Sequence, residues 1–447
     1  MVMEPFRAGD VFEWAEVDRG VRMPTIRIGG ALILAIATLG FAATRARAAD
    51  APLSESQLVE IAIEANPAVK SARYRWDSAV HSIKQTVAPN DPIFTYTNSD
   101  SVKNPLGRAA LREFNFTESF QFPGKALHQR DQAIDAAQIA HLMLAATVRD
   151  VRAATETGYF QLVLDQALTE VNAENVQNLD QVVRVTETAY SGSAVPQTDV
   201  ISAEFNLAAA RQLQHQYLTA VQNDETALNL QLYRPVGEPL PVDRTLKLDA
   251  LNYPLDALTD RAYAVRQEIL EAALAERNAN SALYLAKMEY LPDFVAGVQY
   301  DDYLVPSFAP RPSQPRDWVG IVGFNLPVFF WLKQDEDVAR AKANLAAARS
   351  DQNLIKIQTA AAVATLYRSA QYAFETAILY RDSLIPLARQ NFRVALTAYQ
   401  SGKIDFVTLS TVLQSEYAAR VNYLQAANQF LAGEVSLEQA IGAPLHQ

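Results

Sequence analysis

The spacing of apolar positions along this chain changes period several times, and each change marks an element. From Lys125 to Tyr190 there is no proline and a single glycine, Gly158, so nothing strong interrupts a helix. At ~1.5 Å per residue that stretch is a rod of roughly 100 Å. Near its end Val176, Leu179, Val183, Thr186 and Tyr190 recur in alternating steps of three and four, the seam of a coiled coil. A second rod is expected from Leu332 to Tyr399, interrupted only by Pro386, with Ile355, Ala362, Leu366, Ala373 and Tyr380 in its seam. Shorter helical patterns cover Leu53–Gln85 (capped by Ser54), residues 197–233, Leu258–Tyr290 and residues 404–440. In the second of these Leu213, Tyr217, Val221, Leu228 and Leu232 share one side.

Between these helices the period falls to two. After Ala88-Pro-Asn-Asp-Pro92 come Ile93-Phe-Thr-Tyr-Thr-Asn98 and Glu113-Phe-Asn-Phe-Thr-Glu-Ser-Phe-Gln-Phe122. Phe114, Phe116, Phe120 and Phe122 alternate with Asn115, Thr117, Ser119 and Gln121. One aromatic and one polar face define a strand, and so many phenylalanines on one face suit the lipid-facing wall of a barrel. Glu118 lies in the same row, where a lipid-exposed charge is costly, so a subunit contact or a barrel-end position is expected for it. A second strand pair is read at Phe294–Asp302 and Trp318–Phe324, around a proline-rich loop from Pro306 to Pro315.

The programme therefore runs twice. Pro92 matches Pro292, Pro123 matches Pro327 and Tyr190 matches Tyr399, at offsets of 200, 204 and 209. Repeats of this kind decide a fold. The expected class is mainly α with a small β part, in two repeats at residues 49–250 and 251–447. Two strands per repeat give four per chain. Four strands cannot close a barrel, and an open edge facing lipid leaves backbone groups unpaired, so the chain is expected to oligomerise with cyclic symmetry. The helical hairpin tips, Tyr190–Val200 and Tyr399–Leu409, then lie at the end away from the strands.

Composition narrows the function. The 447 residues carry a formal charge of -11 and a pI near 5.1, which argues against nucleic acid as a partner. There is no cysteine, which excludes disulfides, thiolate metal sites, cysteine nucleophiles and a lipid-modified cysteine. Residues 1–48 read as an export leader: a basic start at Met23-Pro-Thr-Ile-Arg-Ile, an apolar core from Ala31 to Ala43, and small-x-small cleavage at Ala46-Arg-Ala48. The acidic stretch before Met23 leaves Met23 as an alternative start. None of His81, His128, His141, His215 and His446 pairs with another ligand at helical spacing, so no metal site or cofactor is expected. Asp301-Asp302 reads either as a cation site or as solvated strand-end residues. Ser191-Gly-Ser193 lacks the flanking pattern of a nucleophile elbow, and no phosphate loop is present, so no enzyme activity is expected.

The layout resembles the TolC-type outer-membrane factors, especially their CzcC-like heavy-metal-efflux branch. The matching residues are Asn66-Pro-Ala-Val69, Phe120-Gln-Phe-Pro-Gly-Lys125 and Asn325-Leu-Pro-Val-Phe329. The tip pattern appears as Tyr399-Gln-Ser-Gly402 with Thr408-Leu409, and again as Tyr190 with Asp199-Val200. The resemblance covers the whole chain after the leader. It implies a homotrimer with a twelve-stranded barrel in outer-membrane lipid above a helical periplasmic tunnel. It also implies a periplasmic adaptor docked at the tips, and an inner-membrane pump of the resistance-nodulation-division type. Gate and docking roles would fall on Tyr190, Gly192, Ser193, Asp199, Val200, Tyr399, Gly402, Thr408, Leu409 and Thr411. Where the family often carries carboxylates in the second tip, this chain has Thr408 and Thr411. In the first tip, Ser193 stands for the expected glycine, Gly192 comes one place early, and Asp199 is either a pore-lining charge or an N-cap. The solutes implied are metal cations or small organic compounds. A type I secretion duct and a soluble periplasmic coiled-coil adaptor remain as rivals.

Overall fold

A computed structural model describes residues 52–99, 110–245, 247–304 and 316–445. The leader, the two strand-connecting loops (including Pro306–Pro315) and His446 lie outside them. The first long rod is one helix, α3 (Pro123–Ser191), and it returns through α4 (Gln197–Gln231). The lone glycine of the rod has a packing reason. A side chain at Gly158 would meet Leu228 Cδ1 of α4 at 2.6 Å.

The opening helix is two helices, α1 (Glu55–Ala65) and α2 (Pro67–Thr86). Ser54 caps α1 in a capping box with Gln57, as its position predicts. The break falls at Asn66, whose side chain accepts from Ala68 N–H, and Pro67 fixes the restart. The second repeat breaks at the same place, between α5 (Leu255–Val265) and α6 (Gln267–Met288), without a proline. Here tertiary contacts hold the bend: Arg266 donates to Ala440 O at 2.8 Å, and Gly442 packs against the Arg266 backbone. Sequence pattern alone reads both pairs as single helices.

Four strands, β1 (Ile93–Ser99), β2 (Ala110–Phe120), β3 (Phe294–Leu304) and β4 (Arg316–Phe324), form one antiparallel sheet in sequence order. Directly opposed residues share a face. One face carries Phe94, Tyr96, Phe114, Phe116, Phe120, Phe294, Val298, Tyr300, Trp318, Val322 and Phe324; the other carries Thr95, Thr97, Glu113, Asn115, Thr117, Ser119, Gln299, Asp301 and Asp317. The aromatic face is bare in the single chain, with Val322 86 % and Trp318 74 % exposed.

Phe122 is not part of that wall. The last β2–β3 pair is Phe120 with Phe294, and Phe122 is the residue from which α3 starts. Its N–H is taken by the Asp293 carboxylate at 2.9 Å, and Pro123 has no N–H to continue a ladder. The buried Lys125 clamps the same carboxylate at 2.9 Å and Glu289 at 3.4 Å. Glu118 stands opposite Ala296, one residue beyond the last β1 partner, at the end of the sheet from which the helices depart.

The sheet closes most tightly at Gly297. A Cβ there would meet Phe116 O at 2.7 Å and Thr117 Cγ2 at 2.5 Å. Backbone cannot give way in mid-sheet without shifting the register. We expect Gly297→Ala to cut the yield of assembled protein sharply while leaving its helical circular dichroism intact; normal assembly would contradict the register argument.

The second rod is α7 (Gln334–Leu379), one π turn (Tyr380–Leu384) and α8 (Ile385–Gln400). Pro386 enters at the start of α8, and the π turn before it absorbs the missing donor. The chain ends in α9 (Phe406–Ile441). Of the expected seam Ala373 is buried and Ile355, Ala362, Leu366 and Tyr380 are half-buried; Thr359, Val363, Ala370 and Ala377 of α7 are buried beside it. Small residues win because the neighbouring helix comes close, with the Gly433 Cα carrying no side chain against Ala370.

Candidate functional site

Two helical hairpins, α3/α4 and α8/α9, end side by side in turns of the same design. In the first, Ser193 N–H bonds Tyr190 O and Ala194 N–H bonds Ala189 O, both at 2.8 Å. In the second, Gly402 N–H bonds Tyr399 O at 3.0 Å and Lys403 N–H bonds Ala398 O at 2.8 Å. This is the Schellman closure of a helix, which needs a left-handed residue. Gly402 takes that place at φ +68, and Ser193 takes it at φ +59. Gly192 sits one step earlier with φ -81 and cannot serve. Since a side chain in this region costs about 1 kcal/mol, Ser193→Gly is expected to raise the tip's resistance to local opening slightly, read as slower amide exchange at Ala194.

The descending helices start differently. Asp405 caps α9, its side chain accepting from Thr408 N–H at 2.8 Å; hydrogen bonding to the Thr408 side chain first, and to its N–H second, holds the carboxyl below the usual range. α4 begins from Pro196 without a side-chain cap. Asp199 is therefore not the N-cap but lies in the first turn, its carboxyl raised by burial and then by the charge of Asp405. The two tips thus bring two carboxylates together, one of which, Asp405, sequence reasoning passed over.

Between the tips lies a core of Leu179, Val182, Val183, Ala203, Leu207, Phe406, Leu409 and Leu413. It takes in two of the expected surface residues. Tyr399 is 6 % exposed and Leu409 is fully buried, because the hairpins pack face to face and these side chains fill the seam. Tyr190, Gly192, Ser193, Gly402, Thr408 and Thr411 are exposed, and Val200 is half-buried. Polar ties cross from one hairpin to the other along their length. Tyr399 Oη donates to Thr186 Oγ1 at 3.5 Å, Asn206 Nδ2 to Ser410 Oγ at 3.3 Å, and the Tyr217 and Tyr417 hydroxyls meet at 3.3 Å. Arg420 Nη1 lies 2.5 Å from Glu174 Oε2, and this bond holds the Glu174 carboxyl low. Arg420 also reaches the buried Glu416 at 3.9 Å. Tyr217 and Tyr417 stand 200 positions apart and not the 209 that separates the tips, so aligning the two halves does not bring them together and no signal in the sequence announces the pair.

A cleft of about 410 Å³ between α1 and α3 is lined by Glu55, Arg152, Glu156, Tyr159 and Asp243. Burial pushes Glu156 up to about 7, against the hydrogen bond from Arg152 at 2.6 Å. Asp224 on α4 is likewise pushed up to about 7, by burial and by a hydrogen bond with the Asp165 carboxyl. Both folded values exceed the unfolded ones. Their contribution to stability is therefore full below the unfolded carboxylate range and is lost as pH rises through about 7. The unfolding temperature is expected to fall between about pH 5 and about pH 8, and Glu156→Gln to remove part of that slope; an unchanged slope would count against it.

Among the described residues no group of three or more His, Cys, Asp and Glu could hold a metal ion. His141 packs on Trp76 at 4.9 Å and His128 stacks on Tyr284 at 5.5 Å. No described helix is long and apolar enough to cross a membrane.

A sheet with one bare aromatic face, joined to hairpins that lock against each other at their tips, is the subunit of a membrane channel with a helical duct. Residues 58–232 and 258–443 match the family described as Outer membrane efflux protein, and the chain belongs to that family. The two matched segments fall on the two repeats. The cobalt-zinc-cadmium resistance protein CzcC of Cupriavidus metallidurans is 19 % identical over 399 residues, spanning 89 % of this chain and 91 % of CzcC. The outer-membrane channel OprN superposes with a TM-score of 0.74 at 17 % identity, over 87 % of this chain and 90 % of OprN. CusC, solved in a study of its folding and transmembrane channel formation, superposes with a TM-score of 0.72 at 16 % identity, over 87 % and 92 %. The protein is an outer-membrane exit channel for efflux.

Proposed function

We propose that three copies close a twelve-stranded barrel in the outer membrane, and that the paired hairpin tips form its periplasmic gate and the docking surface for an adaptor. The observation that carries this reading is the sheet itself: β1 and β4 are its two edges, and its aromatic face is bare. Closure by symmetry pairs each β4 with the β1 of the next copy, removes both edges and places the polar face around a lumen. The channel moves solutes without catalysis, driven by an inner-membrane pump of the resistance-nodulation-division type through the adaptor. The exposed tip residues Tyr190, Gly192, Ser193, Gly402, Thr408 and Thr411 are available to that adaptor, with Asp199 and Val200 beside them. Tyr399 and Leu409 act from within, as the packing that keeps the hairpins closed.

Metal cations are the favoured solutes. Glu113, Asp301 and Asp317 stand directly opposite one another across β2, β3 and β4 on the lumen face. Like charges side by side in a ladder oppose folding, yet repeated by symmetry they form a belt that attracts cations. The name of the CzcC relative supports the same class.

The test is single-channel conductance of detergent-purified protein in planar bilayers, with oligomeric mass taken on the same sample. A trimer with small, steady, cation-selective conductance supports the proposal, and Asp317→Asn should lower the selectivity. A protein that stays monomeric, needs no detergent and never conducts overturns it in favour of an adaptor.

A further inference from the structure

The two repeats differ where strand passes into helix. In the first, only Gln121 and Phe122 separate β2 from α3; in the second, residues 325–333 separate β4 from α7. The added segment is Asn325-Leu-Pro-Val-Phe-Phe-Trp-Leu-Lys333. Its Leu326, Val328, Phe329, Phe330, Trp331 and Leu332 are between 46 % and 70 % exposed. So much bare apolar surface in one segment marks an interaction site.

The segment is also ordered by its own contacts. Leu332 N–H bonds Phe329 O at 3.0 Å, and Asp335 N–H bonds Phe330 O at 2.9 Å. Trp331 packs edge-on against Phe329 at 5.9 Å and Phe330 at 5.2 Å. The apolar cluster is thus preformed, and little ordering entropy opposes its burial. It continues directly from Phe324, which with Phe294 ends the bare aromatic face of the sheet. Lys333 follows it, then Asp335, Glu336 and Asp337 open α7, so the water-facing chain resumes within one helical turn.

We infer that Leu326–Leu332 is an interfacial anchor, seated at the boundary between headgroups and acyl chains of the inner leaflet of the outer membrane. Lipid is the occupant because the segment extends the barrel's lipid-facing row without a break. Its aromatic and branched residues match what that boundary takes up, and Lys333 can extend its ammonium to a phosphate. The anchor fixes the depth of the barrel and the height of the duct beneath it.

The inference rests on the barrel reading, and the experiment separates the two. Two single-tryptophan proteins are made as full chains, both with Trp14→Phe and Trp76→Phe. One keeps Trp331 (Trp318→Phe) and the other keeps Trp318 (Trp331→Phe). Each is reconstituted in phosphatidylcholine vesicles brominated either near the headgroup or deep in the acyl chains. Trp331 emission should fall about twofold with shallow bromines and clearly less with deep ones, as for an interfacial ring. Quenching of Trp318 without quenching of Trp331 overturns the anchor, showing a covered segment such as one packed on a neighbouring copy, and leaves the barrel standing. If neither is quenched, the barrel reading falls as well. Should either multiple variant fail to assemble, the difference in quenching between the unaltered protein and Trp331→Phe alone reports the same quantity.

Discussion

Arg420→Ala is expected to raise the conductance of the reconstituted channel and to shorten its closed intervals. Arg420 belongs to α9, is mostly buried, and holds Glu174 of α3 at 2.5 Å. It is the charged tie between the hairpins on the tip side; farther from the tips Arg152 lies 3.8 Å from Glu438 and Gln439 donates to Asp150 at 2.9 Å, and the remaining ties named above are hydroxyl and amide contacts at 3.3 to 3.5 Å. Because Glu174 is largely exposed, solvent screens the pair, and the tie contributes on the order of 1 kcal/mol to the paired arrangement of the hairpins. Its loss also leaves the buried Glu416 with Arg389 at 3.7 Å as its remaining cation. Together these shift the balance of closed and open forms by about tenfold. Glu174→Gln should act in the same direction, and combining it with Arg420→Ala should add little, since both break one contact. Arg420→Lys keeps the charge and loses the planar fork, so a partial effect is expected. Unchanged conductance in Arg420→Ala would show that the hairpins do not gate.

The second large effect is expected in the wall. Phe116→Arg places a cation on the aromatic face between Phe94 and Val298. At the bilayer midplane that costs roughly 2–4 kcal/mol per copy. The fraction of protein recovered as outer-membrane trimer should collapse. Thr97→Arg puts the same side chain on the opposite face, directly across from Glu113, where water and a carboxylate receive it. Assembly should survive there while cation selectivity falls. Equal damage from both would mean that the two faces do not divide lipid from lumen.

The contacts made by Arg420 and by Phe116 differ in how plainly the sequence announces them. Phe114, Phe116 and Phe120 declare their face by alternation, because a strand's period is short and needs no partner to be read. Phe122 continues that alternation and still leaves the sheet. The bond from its N–H to Asp293, 171 positions away, is a fact of the fold and not of the period. At the tips, the turn chemistry of Gly402 was readable, and so was the oddity of Ser193. The burial of Tyr399 and Leu409 was not, since a seam residue and a surface residue obey the same helical spacing until a second hairpin is laid against them.

The sequence by itself determined the elements and their duplication: one uninterrupted rod and a second broken only at Pro386, two strand pairs between prolines, and two glycine-marked or serine-marked tips. These are local matters of propensity, period and covalent restraint, and they hold wherever the segment is placed. Tertiary structure decided the rest. It broke the second opening helix at Arg266, where no proline stands, through bonds to Ala440 and the approach of Gly442. It buried Thr359, Val363, Ala370 and Ala377 beside the expected Ala373 in α7, and brought Arg420 to Glu174 across 246 positions. Such choices belong to no single element, because the free energy that settles them is gained only when distant helices meet and exclude water together.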